Sequence, residues 1–329
     1  MAKSPASKKN VASSRPATQA AKRPPGPPSK RPPARGSSGR PAGLFTWLAI
    51  GLVVVIVAAL VLIKVLSGSP STPGKSTFVQ TDPTTLAQIT GVPMSVFNKV
   101  GVTSQAVQVN APIPIKGQPP LTATNSAGKK VPEILYIGAE YCPYCAAQRW
   151  STIVALSRFG TWSDLGNMTS YAHDVYPSTP TFTFVKAKYK SPYLVFTSVE
   201  EYTNYLNAAK SYYQPLQKPT AAQVKLVEKY DTGKYITGLS SSDGNPIPFM
   251  TFDNKFLVSG ASYSPDTLSN LTRTDIALGL SDPTSPVTDA IVASANYQTA
   301  AICSLTNNMP ANVCTSSGVL AAKKAMKIK

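Results

Sequence analysis

Residues 133–150 read Glu133-Ile-Leu-Tyr-Ile-Gly-Ala-Glu-Tyr-Cys142-Pro-Tyr-Cys145-Ala-Ala-Gln-Arg-Trp150. The apolar run from Ile134 to Ile137 predicts a short strand, and the residues after Cys145 carry helical spacing. A Cys-X-X-Cys at the turn between them places Cys142 at a helix N-terminus. Unpaired backbone N–H groups and the helix dipole favour a thiolate there over a thiol. Pro143 then takes the first helical position, where its missing N–H costs nothing. This reading makes Cys142 the reactive thiol and Cys145 its more buried partner. The same tetrapeptide would also serve as half of a zinc site or as an inert disulfide. A four-cysteine zinc site needs a second closely spaced pair, and ten residues separate Cys303 from Cys314. Those two enclose a polar, Pro-containing loop and read as a stabilising disulfide.

The flanking segments predict a mixed α/β domain with a sheet of four or five strands. Thr81-Asp82-Pro83 predicts a helix cap, followed by two short helices that Pro93 interrupts. An edge strand is expected over 107–115 and a turn over 125–130. Downstream of the helix that begins at the Cys-X-X-Cys, strands are expected at 182–187 and 193–197, with helices at 199–213 and 219–230. Two strands at 249–253 and 256–260 are joined at Asp253-Asn254-Lys255, and further helices are expected at 265–280 and 286–302. The tyrosines between 171 and 213 would either line a groove or pack in the core.

The chain divides by composition. Its formal net charge is +17, of which residues 1–40 supply ten positive charges and no negative one. Eight of the thirty prolines also fall there, so this tail cannot bury enough apolar surface to order itself. No aromatic residues are interleaved for base stacking, and the reading is against nucleic-acid binding. Residues 44–63 carry no charge, and twenty helical residues span about 30 Å, the thickness of a bilayer core. A transmembrane anchor is therefore expected over 41–66. The basic flank keeps the N-terminus cytoplasmic and sends the rest across the membrane. The expected division is a disordered tail at 1–40, the anchor, a flexible linker at 67–80, a folded domain at 81–315 and a basic C-terminal tail at 316–329.

Ala139-Glu140-Tyr141-Cys142-Pro143-Tyr144-Cys145 resembles the active-site turn of the thioredoxin superfamily. The Pro143-Tyr144 pair is similar to glutaredoxins and to bacterial Dsb-type oxidoreductases. Asn245-Pro246-Ile247-Pro248-Phe249-Met250-Thr251-Phe252 resembles that family's cis-proline strand. The resemblance makes Pro248 the cis-proline and Ile247 the residue that pairs with a bound peptide. It implies a thioredoxin-like fold with an enlarged helical insertion at about 160–240, behind a single transmembrane helix. The order of tail, span and domain is also similar to an uncharacterised family of membrane-anchored thioredoxin-like proteins. One departure stands out, since Tyr136 occupies the place of the buried Asp that helps deprotonate the second cysteine in thioredoxins. Glu140, the nearest carboxylate, is expected to be exposed on the turn.

The expected function is a membrane-anchored, extracytoplasmic thiol–disulfide oxidoreductase. Its substrates would be thiols and disulfides of secreted or envelope proteins. The alternatives are a reductase fed by a membrane redox partner and a non-catalytic protein-binding module. No cofactor or metal is required, and the lone His173 makes a Cys-His or Ser-His-Asp centre a poor fit.

Overall fold

The strand that ends in the Cys-X-X-Cys turn is the centre of the sheet. The computed structural model describes residues 78–102, 106–240 and 244–328. In chain order the strands are β1 Val79–Gln80, β2 Ile113–Pro114, β3 Thr122–Thr124, β4 Lys130–Gly138, β5 Thr161–Ser163, β6 Gly166–Thr169, β7 Pro180–Thr183, β8 Lys188–Lys190, β9 Val195–Glu200, β10 Tyr202–Leu206, β11 Tyr213–Pro215, β12 Phe249–Phe252 and β13 Phe256–Ser259. The helices are α1 Pro83–Thr90, α2 Met94–Val100, α3 Pro143–Leu156, α4 Ala221–Tyr230, α5 Arg273–Gly279, α6 Pro286–Leu305, α7 Ala311–Cys314 and α8 Ser317–Ala325.

The main sheet runs β2-β13-β12-β4-β3, with β9 joined to β4 in parallel beyond β3. The first residues of β4 pair with β3 in a hairpin, and Glu133 to Gly138 pair with β9. Side chains on β4 alternate between two cores, as a strand covered on both faces requires. Ile134 and Tyr136 face the larger core, which is built from helices including α3 and α6. Leu135 and Ile137 face the smaller one, closed by Tyr230 of α4. Asp253 and Asn254, with φ of 52° and 54°, lie in the tight three-residue β12–β13 connection, closed by the Lys255 N–H donating to the Phe252 carbonyl.

Helix α3 begins at its Cys142 cap and is buried at every position except Tyr144. It packs against α6, β7 and α1. Its contact with α6 uses small and polar side chains. Thr152 Oγ1 donates to Gln298 Oε1 at 3.1 Å, and Gln298 Nε2 donates to Ser151 Oγ at 3.0 Å. These bonds hold the two helices in one register.

The expected architecture is corrected in two respects. First, the segment between α3 and β12 is not a helical insertion. It contains strands β5 to β11 and, among its described residues, one α-helix, α4. The stretch expected to be helical at 199–213 is the end of β9 and the hairpin β10–β11. Second, no helix among the described residues is long and apolar enough to cross a membrane. The stretch 44–63, whose hydropathy predicts the anchor, lies outside them, as does the tail at 1–40. The single-pass, extracytoplasmic placement, the membrane redox partner and the envelope substrates that depend on it are therefore set aside. What stands is a mixed α/β fold. Two termini also differ in detail: Val79 and Gln80, expected in a flexible linker, pair with β6. The basic C-terminal stretch holds α8, which buries Val319 and Ala322.

Candidate redox site

Gly138 ends β4, three residues turn, and Cys142 caps α3 with extended backbone at φ −76° and ψ 121°. In this position its sulfur accepts a hydrogen bond from the Cys145 backbone N–H at 3.2 Å. The same thiol lies 3.7 Å from the Ile247 carbonyl, to which it donates. Ile247–Pro248 is a cis peptide and leads into β12. The sequence-predicted residues Cys142, Pro143, Tyr144, Cys145, Ile247 and Pro248 thus meet at one end of the sheet. Cys303 and Cys314 do not belong to this group; they are joined by a disulfide between α6 and α7.

Both thiols at the α3 N-terminus are free, and their surroundings separate them. Burial alone would raise Cys142. The hydrogen bonds from the Cys145 thiol and backbone N–H, with the positive Arg149, outweigh it and hold Cys142 below the ordinary thiol range. Cys145 is fully buried, and burial together with its bond to Cys142 pushes it well above that range. One thiol is ready to ionise beside a carbonyl that a substrate backbone could flank. The other is protonated and out of reach of solvent.

Beneath the pair lies a charged group with 0% side-chain exposure. Arg149, one turn after Cys145, donates from Nε to Glu200 Oε1 at 2.8 Å and from Nη2 to Glu200 Oε2 at 2.6 Å. Nη2 also donates to the Ala139 carbonyl at 2.8 Å, which ties the turn before Cys142 to the helix after it. Such a bidentate pair fixes geometry as well as charge. Nη1 has no hydrogen-bond partner among the described residues.

A family described as "Domain of unknown function (DUF929)" matches residues 121–304. The chain belongs to this family. The matched span runs from β3 almost to the end of α6, so it contains the Cys-X-X-Cys pair, Arg149, Glu200 and the cis-proline. No curated protein and no solved structure matches the chain.

Two features of this DUF929 site depart from the sequence expectations, and a third gathers tyrosines that those expectations left between a groove and the core. Arg149 and Glu200 are the first. Arg149 is the sole charge in the helix Pro143–Leu156, and a lone charge on an otherwise buried helix demands a partner. Glu140 is the second. It is 3% exposed, not on the open turn, because its backbone N–H donates to the Tyr202 carbonyl and β10 covers it. The third is an aromatic wall beside Cys142. Tyr141 stacks on Tyr213 at 3.8 Å, and Tyr144 meets Tyr176 edge-on at 5.8 Å. Tyr144 and Tyr212 are exposed on this wall.

Burial pushes the Glu140 carboxyl up from 4.5 to about 7; Thr183 and Arg149 pull it down, and Glu200 adds to the rise. The folded chain therefore keeps a proton that the unfolded chain releases. This contribution to stability is fully present below pH 4.5 and is lost as pH rises through about 7. Glu140→Gln is expected to be near-neutral at pH 4.5 and stabilising at pH 8, by at most about 3 kcal/mol. Urea unfolding at the two pH values checks this, and an equal gap at both would contradict it.

Proposed function

We propose that the chain is a thiol–disulfide oxidoreductase of the thioredoxin type, with a site similar to those of glutaredoxins and Dsb-type enzymes. The observation that carries this reading is the asymmetry of the two thiols opposite the Ile247 carbonyl that precedes the cis-proline. In the reducing direction, the Cys142 thiolate attacks one sulfur of a substrate disulfide. That S–S bond breaks, and the departing sulfur leaves with the electron pair and takes a proton. Cys145, deprotonated, then attacks the Cys142 sulfur, and the second substrate thiolate departs. The substrate disulfide gains two electrons and the 142–145 pair becomes a disulfide. The reverse sequence oxidises a dithiol substrate.

The surroundings support a polypeptide substrate. The Ile247 carbonyl lies against Cys142, and the aromatic wall flanks it on the α3 side. A cavity of about 230 Å³ lies on the far side of Ile247, floored by Ile137 and Phe249 and edged by Glu201 and Glu228.

The test is exchange by the full chain against a disulfide-bonded model protein and its reduced form, followed by intact mass and by thiol alkylation. Interconversion of the two, with residues 142–145 cycling between dithiol and disulfide, is expected. If neither form reacts and the pair never changes state, the reading fails. Equilibration against glutathione then sets the direction. A potential near about −270 mV marks a reductase, and one near about −120 mV an oxidase.

A further inference from the structure

Resolution of a mixed disulfide requires a thiolate on Cys145, a sulfur with 0% exposure. Water cannot solvate that charge, so the protein must. Arg149 faces the site, but Glu200 neutralises it through two hydrogen bonds. Two donors remain uncommitted there among the described residues, the Arg149 Nη1 and the Tyr136 hydroxyl.

Tyr136 lies on β4, on the face that packs beneath α3. Its ring is fixed edge-on against Phe184 at 5.1 Å, and the Arg149 Cζ sits 5.8 Å from its centroid. Its hydroxyl and the Cys145 sulfur border the same space beside Gly138. A Cβ on Gly138 would collide with the hydroxyl and lie 3.0 Å from Cys145 Sγ. Glycine at 138 leaves that space to the two side chains. A phenylalanine would pack the same ring without burying an unmet hydroxyl, so ring packing alone does not account for tyrosine here.

Resting on the exchange reading above, we propose that the Tyr136 hydroxyl donates a hydrogen bond to the Cys145 sulfur whenever that sulfur is a thiolate. It stabilises Cys145 as nucleophile in the reducing direction and as leaving group in the oxidising one. No proton is transferred: the phenol keeps its own, and the charge on sulfur gains a donor that the neutral thiol did not use. Burial holds the phenol well above its ordinary value, so it remains a donor throughout. The charged and titratable groups facing Cys145 are Cys142 and Arg149 from α3 and its cap, Glu200 from β9, Tyr136 from β4 and Tyr141 from the turn before Cys142.

The test is Tyr136→Phe in the full chain, mixed with an aromatic disulfide that releases one coloured thiolate at each step. The first release reports attack by Cys142 and the second reports resolution by Cys145. A lost hydrogen bond to a charged sulfur raises the Cys145 pKa further. Thiolate becomes scarcer while each thiolate becomes more nucleophilic, and the second phase is expected to slow about 3- to 10-fold. Its pH profile should move to higher pH, the first phase should be unchanged, and the melting temperature should hold or rise. A second phase with unaltered rate and pH profile would overturn the proposal and leave the exchange reading standing. A fall in melting temperature with both phases slowed equally would mark a packing role and overturn it too. If the wild-type chain releases neither thiolate, both readings fall together.

Discussion

Cys142→Ser is expected to reduce exchange to background, whereas Cys145→Ser is expected to react once and stall as a mixed disulfide. The two outcomes follow from burial and not from order in the motif. Cys142 is 5% exposed at the tip of α3 with the Ile247 carbonyl against it, and Cys145 is 0% exposed behind it. A substrate sulfur therefore reaches Cys142 alone. A serine there offers a hydroxyl of negligible acidity, and the buried thiol cannot take over. In the Cys145 variant the first bond forms as before, but no second thiol displaces the substrate. Non-reducing electrophoresis and intact mass after incubation with a disulfide-bonded protein separate the two variants. Exchange through Cys145 in the Cys142→Ser chain would reverse the assigned polarity.

Glu200→Ala carries the largest expected cost in stability, about 3–5 kcal/mol, because it leaves the Arg149 guanidinium charged and unpaired in a site with no exposure. For a folded unit of this size each kcal/mol lowers the melting temperature by about 2–4 °C. The damage should concentrate at the turn before Cys142, since Arg149 also holds the Ala139 carbonyl. Replacing both partners with apolar residues of similar volume, Arg149→Met with Glu200→Leu, should recover most of the loss. That double variant would retain the fold while removing the charge that lowers Cys142. Thermal unfolding of the two single variants and the double variant gives the coupling. A Glu200→Ala chain within about 1 kcal/mol of wild type would show that the pair is not sealed from water.

The sequence discloses the site better than its supports. Cys142, Pro143 and Cys145 are legible because a helix N-terminus imposes local rules on the residues that build it. The Ile247-Pro248 segment is legible only through the family resemblance, because local pattern gives the strands that follow it but does not single out a cis proline. Arg149 and Glu200 are separated by 51 positions, and nothing local to either names the other. The stretch 199–213 fails for a different reason. Val199, Tyr202, Tyr205 and Leu206 recur at helical spacing, yet aromatic and β-branched side chains suit a pleated surface. The tyrosine rings that suggest a helical stripe pack laterally against Tyr141 from two short strands. Glu140 is misjudged for the same cause, because the hairpin that covers it is itself unread. The anchor expected at 41–66 falls outside the described residues.

Helix α3 is enclosed on all sides, with Tyr144 as its single open position. Ordinary surface helices keep an outward stripe on which substitutions accumulate freely, and this one has none. Selection acting on the redox pair and selection acting on the core therefore fall on the same helix and its cap. Any change that retunes the sulfur chemistry from within the helix is also a repacking of the protein's centre. Variation in specificity has to come from elsewhere, from the tyrosine wall and the rim around Ile247, where side chains can be exchanged without disturbing the fold.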